Sequence, residues 1–262
     1  MSAPVVSGYL AWARESGLLG DFRGLSYVAD SYTDPLTGRR QVLVEHSERA
    51  LTEDADLLAA FTSELARLHP GATAALLRLA PDVVLPEPWR RQITYIRLDV
   101  DAHPAGALDV TRADAGHDGL IRDWLVTAFE AACRETGQPV ADALAVAENL
   151  LSQPDRVSLL VWNGDVPAGH VTLLCEARDE VTGEDFVELV DSLVESVVDV
   201  RQATTALSRA AADHATALGL PLYGNVVHDV STGKADRVLA SLARLGWRPS
   251  HRFWHAPLGE SS

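Results

Sequence analysis

The stretch that decides the fold is Glu188-Leu-Val-Asp191-Ser-Leu-Val194-Glu-Ser-Val-Val-Asp199-Val-Arg201-Gln202-Ala203-Thr204-Thr205-Ala206-Leu207. Its apolar and β-branched first part is typical of a strand, and the alanine-rich run from Thr204 is typical of a helix. At a helix start the first backbone N–H groups have no partner and the helix dipole is positive. The stretch therefore predicts a strand, a short loop and a helix start that forms an anion site.

Outward from this stretch, the C-terminal part alternates predicted strands and helices. The hairpin signal Asn163-Gly164 lies between two apolar runs. The predicted elements are a strand at 108–114, helices at 118–136 and 140–151, strands at 156–162, 168–176 and 186–194, a helix at 204–218, a strand at 220–228, a helix at 232–245 and a strand at 248–256. The alternation predicts an α/β or α+β sheet covered by helices.

The N-terminal part forms a predicted unit of its own, an α/β lobe over residues 1–105, and the second unit spans 106–262. Residues 101–106 form the expected linker. The predicted elements of the lobe are a helix at 5–16, a hairpin of strands at 25–31 and 40–46, a helix at 52–68 with Thr52 as its N-cap, and a strand at 92–100.

Two local segments support a family resemblance for roughly residues 107–257. They are Trp162-Asn-Gly-Asp-Val-Pro-Ala-Gly169-His170-Val-Thr-Leu and Leu239-Ala-Ser-Leu-Ala-Arg-Leu-Gly246-Trp247-Arg248. Together with the order of the elements, they make the chain resemble the GNAT superfamily of acyl-CoA-dependent N-acyltransferases. The resemblance implies a mixed, mostly antiparallel central sheet flanked by helices. It leaves open whether the N-terminal lobe is a reduced GNAT-like half.

The resemblance also implies a binding site for the CoA pyrophosphate, on a loop patterned Gln/Arg-x-x-Gly-x-Gly/Ala. The corresponding residues run from Asp199 to Thr204 and lack both glycines; a register shifted by two keeps Arg201 and Ala206. Glycine allows close approach of backbone to phosphate, so the altered loop predicts weakened or displaced CoA binding. The expected donor-binding residues are Leu193, Val194, Arg201, Gln202, Ala203, Thr204, Thr205 and Ala206, with acetyl-CoA as the donor and no metal.

Glu188 is the candidate general base. In one subset of the family a strand glutamate stands fourteen residues before the first loop glycine, and Glu188 stands at that distance before Gln202. Desolvation on an apolar strand raises the pKa of a carboxylate toward the range that a base needs. The alternative interpretation is that Glu188 merely extends the acidic segment Glu184-Asp185 and is solvated.

The usual general acid of the family is missing. A tyrosine often stands four residues before the late glycine, where this chain has Leu242, and the asparagine seven residues earlier is replaced by Ala235. Tyr223 and His228, on the preceding strand, are the candidate replacements, since a hydroxyl or an imidazole can carry a proton. The alternative for His228 is an ordinary hydrogen-bonded residue at a strand end.

Composition limits the partners. The formal charge of −15 over 262 residues disfavours nucleic acid and suits an amine substrate. No apolar run is long enough to span a bilayer, and no signal peptide is evident, so we expect a cytoplasmic protein. Cys133 and Cys175 are predicted to be buried thiols. A homodimer is an open alternative.

Three functions fit these features. The first is transfer of an acetyl or other acyl group from acyl-CoA to an amine of a small molecule. The second is a transferase of the same fold with a non-CoA donor, an acyl-tRNA or a carrier protein, which would explain the lost glycines. The third is a catalytically silent domain that binds a ligand or partner.

Overall fold

The computed structural model describes residues 5–99, 108–229 and 233–259. Its strands form one eleven-stranded sheet with the order β1-β2-β3-β4-β11-β5-β10-β9-β8-β7-β6. The strands are β1 (Leu19–Phe22), β2 (Leu25–Thr33), β3 (Arg40–Ser47), β4 (Ala74–Leu79), β5 (Arg90–Leu98), β6 (Val110–Arg112), β7 (Arg156–Asn163), β8 (Val166–Asp179), β9 (Glu184–Val194), β10 (Leu222–Val227) and β11 (Arg248–Pro257).

Seven α-helices accompany this sheet in the described part of the chain. They are α1 (Ser7–Glu15), α2 (Ala50–Glu53), α3 (Ala55–Leu68), α4 (Asp118–Thr136), α5 (Ala143–Leu151), α6 (Val200–Leu218) and α7 (Lys234–Ala243). The neighbouring pairs β3–β4 and β9–β10 are parallel and the others are antiparallel. The expected mixed, mostly antiparallel sheet flanked by helices is confirmed. No helix within the described residues has the length and hydropathy that crossing a bilayer requires.

The sheet has two differently covered faces around its centre. On one, Val187 and Leu222 pack against Leu207 of α6; we call it the α6 face. On the other, Val190 and Leu193 pack in the cluster of α4 and α5; we call it the α4 face. The buried residues of α6 are mostly alanines, which let the helix lie close to the sheet.

The N- and C-terminal parts exchange strands at the middle of the sheet. β5 belongs to the N-terminal part in sequence, yet it lies between β10 and β11. β11, from the C-terminal end, pairs with β4 through Arg252↔Leu79 to Pro257↔Ala74. One continuous sheet therefore crosses the predicted division at residues 105 and 106. The expected linker, residues 101–106, lies outside the described residues.

Two helices that were predicted to begin at a threonine begin elsewhere. The helix predicted from Thr52 is a short α2 followed by α3, whose N-cap is Asp54, with its carboxylate accepting from the backbone N–H of Leu57. The helix predicted from Thr204 begins at Val200 with Asp199 as N-cap. An aspartate accepts N–H bonds at a helix start better than a threonine does, and both helices begin directly after one.

Candidate active site

The candidate site lies where β9 and β10 separate. Within the described residues the two strands share the register pairs Leu222↔Val187 and Tyr223↔Glu188 and no others, although β9 continues to Val194. Beyond these pairs the facing backbone edges are open. We call this opening the fork; Glu188 and Tyr223 stand at its root.

Glu188 lies on the α4 face of β9, because its neighbour Val187 points into the α6 core. The residue is half-buried, and no described residue hydrogen-bonds to its carboxylate. Burial raises the pKa of Glu188 above its ordinary value, with no opposing charge. A carboxylate with a raised pKa and free oxygens can accept a proton from an amine.

Tyr223 is beside Glu188, but its hydroxyl is engaged. It donates to Oε2 of Glu184 at 2.7 Å, and Arg97 Nη1 donates to both oxygens of the same carboxylate, at 2.6 and 2.8 Å. Burial, and then the bond to Glu184, raise the pKa of Tyr223. The tyrosine is therefore part of a fixed polar cluster rather than a free proton donor.

His228 is not brought together with Glu188 and Tyr223. Its Nε2 is 2.8 Å from Oγ1 of Thr94, and both residues are buried. Thr94 shares its side of β5 with Ile96, which belongs to the α6 core, so this histidine lies on the α6 face. Burial, reinforced by the charge of Arg91, lowers the pKa of His228 to about 4. The arrangement fits the alternative interpretation, a hydrogen-bonded histidine at a strand end.

The predicted pyrophosphate loop lies within the first two turns of α6. Asp199 places its carboxylate at the helix start, where Oδ1 accepts from the backbone N–H of Gln202 at 3.1 Å. The backbone N–H of Ala203 bonds to the carbonyl of Asp199 at 2.9 Å. The negative carboxylate of Asp199 therefore lies where the predicted CoA pyrophosphate would bind, and it would repel that group.

The other predicted donor-binding residues are divided between core and surface. Ala203 and Ala206 are buried, whereas Arg201, Gln202, Thr204 and Thr205 are exposed. The Thr205 hydroxyl donates back to the carbonyl of Arg201 at 2.8 Å. At the end of β9, Leu193 packs on the α4 face and Val194 in the α6 core. The exposed side chains leave a polar surface beside the fork.

Two residues of the α4 face were missed by the sequence reasoning. Asn225 on β10 pairs with Tyr95 on β5. This pair lies two residues along both strands from the pair Tyr223 and Arg97, so its side chains lie on the same face of the sheet. Both are half-buried, and no described residue hydrogen-bonds to either side chain. Burial, and secondarily the charge of Glu188, raise the pKa of Tyr95. The sequence pattern predicted that Tyr95 lies on a strand. Only the tertiary structure, in which β5 lies between β10 and β11, brings this residue beside β10.

A small cavity opens on the same face. It has a volume of about 180 Å³ and combines aromatic rings with paired charges. Its lining residues are Glu45, Arg78, Tyr95, Arg178, Asp179, Glu180, Phe186, Tyr223, His251 and Phe253. The described residues contain no cluster of three or more His, Cys, Asp or Glu side chains arranged to hold a metal.

Comparison with known proteins rests on structure alone. No protein-family model and no curated protein sequence matches the chain. An acetyltransferase of the GNAT family from Colwellia psychrerythraea is similar in structure, with a TM-score of 0.50 and 12% identity, over 97% of this chain and 90% of that one. A functionally unknown conserved protein from Staphylococcus epidermidis ATCC 12228 is similar with a TM-score of 0.52 and 11% identity, over 84% and 85%. At such identities the likeness establishes a shared fold.

Proposed function

We propose that this chain, which has the fold of the GNAT acetyltransferases, is an N-acyltransferase that acylates an amine of a small molecule, with acetyl-CoA or a related acyl-CoA as donor. One observation carries the proposal. Glu188 stands at the root of the fork with a raised pKa and no hydrogen-bond partner among the described residues. A partly buried carboxylate without a partner costs stability, and such groups concentrate at functional sites.

The chemistry follows from the site. Glu188 takes a proton from the acceptor ammonium, and the neutral amine then attacks the acyl carbonyl of the donor thioester. An N–C bond forms, the C–S bond breaks and the thiolate leaves with the electron pair. The nitrogen gives up its second proton, and that proton neutralises the thiolate, so the products are the amide and the free thiol. Open backbone edges of β9 and β10 can pair with an amide-containing donor arm, as an added strand pairs with a sheet edge.

Asn225 and Tyr95 supply polar groups to the same step. The Asn225 amide is suited to donate to the acyl oxygen as negative charge develops there. The phenol of Tyr95 is protonated at neutral pH, as a tyrosine normally is, and its hydroxyl can donate a hydrogen bond to the departing sulfur. These two residues take the roles for which Tyr223 and His228 were predicted.

A second candidate exists for the acyl donor. Asp199 occupies the start of α6, so a thioester donor that places no pyrophosphate there fits this chain as well. The second candidate is accordingly a transferase of the same fold that uses an acyl group on a carrier protein or tRNA. The charge of −15 disfavours tRNA within that candidate.

Calorimetric titration of acetyl-CoA and free CoA, followed by thiol release with a panel of amines, tests the proposal. We expect micromolar binding, about −8 kcal/mol. Glu188→Gln should lower turnover at neutral pH by about 100-fold or more and leave the dissociation constant of acetyl-CoA unchanged. Glu176→Gln, at an exposed glutamate of β8, is the matched control and should retain activity.

Two results would overturn parts of this proposal. Absence of acetyl-CoA binding removes the CoA donor and leaves the carrier-protein donor or a silent domain. Turnover of Glu188→Gln equal to that of the parent protein across the pH range removes Glu188 from the mechanism.

A further inference from the structure

A second cavity lies on the α6 face, between the middle of α6 and the turn that leads from α7 into β11. Its volume is about 330 Å³. Small-molecule sites in proteins usually have volumes of about 300–1,000 Å³, so this space is sufficient for a compact ligand. We call it the α6–β11 cavity; α6 lines one side, and Arg244, Leu245 and Trp247 line the other.

The α6–β11 cavity is separate from the fork. Leu98, at the end of β5, lines the cavity and pairs with Leu222, the first residue of β10. The fork opens in the other direction along β10, beyond Tyr223. On α6, the lining residue Arg209 stands nine residues after Val200, about 13 Å along the helix. The cavity therefore lies away from both the candidate base and the start of α6.

The apolar part of the cavity wall is firmly held. The indole ring of Trp247 is buried and packs over Gly224 of β10, where a Cβ atom would lie 3.6 Å from the ring. Leu98 and Ala212 are buried beside it, whereas Leu245 at the rim is 53% exposed. A ligand with an apolar body would cover Leu245 and remove this surface from water.

The polar side chains around the cavity offer mainly hydrogen-bond donors. Arginine and tryptophan side chains can donate but cannot accept. Arg209, Arg244 and Trp247 supply such groups. No described residue accepts a hydrogen bond from the Arg244 guanidinium, the Trp247 indole N–H or the Ser208 hydroxyl. The cavity is short of acceptors, so a ligand that fits it brings acceptors of its own.

Arg209 is only partly satisfied within the fold. Its Nε donates to Oδ2 of Asp213, one turn further along α6, at 3.3 Å. Its Nη1 is buried and has no hydrogen-bond partner among the described residues. A buried guanidinium nitrogen without an acceptor costs free energy. An anionic group bound beside this guanidinium would supply the missing acceptor.

The charge at the cavity is positive, although the chain as a whole is acidic. Arg209 and Arg244 are the charged residues among the described lining, and Asp213, the partner of Arg209, is 60% exposed. Two positive charges against one negative charge leave a local excess of positive charge in a chain of formal charge −15. Such a reversal of sign attracts an anion. A planar guanidinium suits carboxylate and phosphate groups in particular, because it can donate two parallel hydrogen bonds to either.

We propose that the α6–β11 cavity binds a small organic anion, a carboxylate or phosphate group attached to an apolar body. The guanidinium groups of Arg209 and Arg244 hold the anionic group. The apolar body packs on Leu98, Leu245 and Trp247. The site goes beyond the proposed acyl transfer, since it uses no residue of the fork.

Calorimetry and NMR on the full chain test this binding with defined probes. n-Hexanoate and n-hexyl phosphate carry the two kinds of anionic group, n-hexanamide is the neutral counterpart of hexanoate, and acetate lacks the apolar body. We expect hexanoate or hexyl phosphate to shift the indole ¹H–¹⁵N signal of Trp247 saturably; Trp247→Phe assigns that signal. Hexanamide and acetate should bind at least about tenfold more weakly. The tighter of the two anions identifies the anionic group that the site takes.

Arginine variants test which side chains hold the anion. Arg209→Gln and Arg244→Gln should each weaken anion binding about tenfold and leave the weak binding of hexanamide unchanged. Arg209→Lys keeps the charge but loses the planar group, so its loss should be smaller than that of Arg209→Gln. Arg67→Gln, at an exposed arginine of α3, removes the same charge elsewhere and is the matched control. Equal melting temperatures of these variants would exclude a general loss of structure as the cause.

The outcomes separate this site from the proposed function. Equal binding of hexanoate and hexanamide, or an unchanged affinity in the double variant of Arg209→Gln and Arg244→Gln, overturns the anion site even if acyl transfer is observed. Displacement of the bound anion by CoA would make the cavity part of a donor site and would overturn it as well. Anion binding that depends on both arginines, in a protein without acetyl-CoA binding or thiol release, supports the anion site and overturns the acyltransferase.

Discussion

The carboxylate of Asp199 accepts a hydrogen bond from the backbone N–H of Gln202 at 3.1 Å, so the start of α6 is capped by a negative charge of the chain itself. A helix start attracts anions through its free N–H groups and its dipole. In this chain Asp199 satisfies one of those groups and opposes a second anion. The chain has the fold of the GNAT acetyltransferases, but the start of its α6 is poorly suited to hold the phosphates of a donor.

Asp199→Asn should strengthen acetyl-CoA binding. Asparagine caps a helix about as well as aspartate, so the helix is kept and only the charge is removed. We expect the dissociation constant for acetyl-CoA to fall about three- to tenfold, measured by calorimetry at low and at moderate salt. Asp142→Asn, at the cap of α5, is the control and should have no effect. An unchanged constant in Asp199→Asn would place the donor phosphates away from α6.

Glu188→Gln should stabilise the protein while lowering activity. The pKa of Glu188 is raised on folding, so its ionised form weakens the fold, and that cost appears as the pH rises through the raised pKa. We expect the melting temperature at pH 7.5 to rise by on the order of 2 °C, with the difference from the parent protein shrinking at acid pH. A lower melting temperature at pH 7.5 would contradict a destabilising ionised carboxylate.

The Arg78–Asp179 pair ties the turn between β8 and β9 to β4. Both terminal guanidinium nitrogens, Nη1 and Nη2, donate to the carboxylate, and the side chains are 13% and 7% exposed. Burial alone would raise the pKa of Asp179, yet the bonds from Arg78 hold it at about 2. We expect Asp179→Asn and Arg78→Met each to lower the free energy of unfolding by about 3–5 kcal/mol, measured by urea denaturation.

The double variant distinguishes pairing from packing. When both partners are replaced, no uncompensated charge remains. The double variant should therefore lose less stability than the sum of the losses in the two single variants. Strictly additive losses would show that the two side chains contribute independently.

Buried histidines should make the fold sensitive to acid. Burial lowers the pKa of His228 and of His255 to about 4 and that of His251 to about 3. Between these values and 6.5 the unfolded chain binds protons that the folded chain excludes, so stability falls as the pH falls. Each histidine contributes a slope of up to about 1.4 kcal/mol per pH unit.

His228→Gln checks this assignment. Glutamine retains a polar group for Thr94 but takes up no proton. In urea denaturation between pH 7 and pH 4.5, the free energy of unfolding should depend less steeply on pH in this variant than in the parent protein. The difference should correspond to about one bound proton. Parallel pH profiles would show that His228 is protonated equally in both states.

Tyr223→Phe and Tyr95→Phe should have opposite effects. The Tyr223 hydroxyl stabilises Glu184, so its loss should cost about 1 kcal/mol of folding free energy and leave turnover within about threefold. The Tyr95 hydroxyl is unbonded among the described residues, so its loss should leave stability nearly unchanged and lower turnover about tenfold or more. Thiol release and urea denaturation measure both quantities; a reversed pattern would return Tyr223 to the mechanism.

The sequence by itself determined the elements of the C-terminal part. The Asn163-Gly164 turn predicted the β7–β8 hairpin, and α4 spans the expected 118–136. Gly219, with a φ of 71°, ends α6 as expected. Local signals of this kind depend on residues close together in the chain, so they can be read without knowledge of the fold. For Glu188 the sequence left open whether the carboxylate is buried or solvated, and it is the burial in the tertiary structure that raises its pKa.

Only the tertiary structure decided which side chains meet. Alternation cannot show that β5 lies beside β10, or that His228 lies on the face opposite to Glu188. These features depend on pairing between strands distant in sequence. A shift of one residue in such pairing moves a side chain to the other face of the sheet, and no local pattern records that shift.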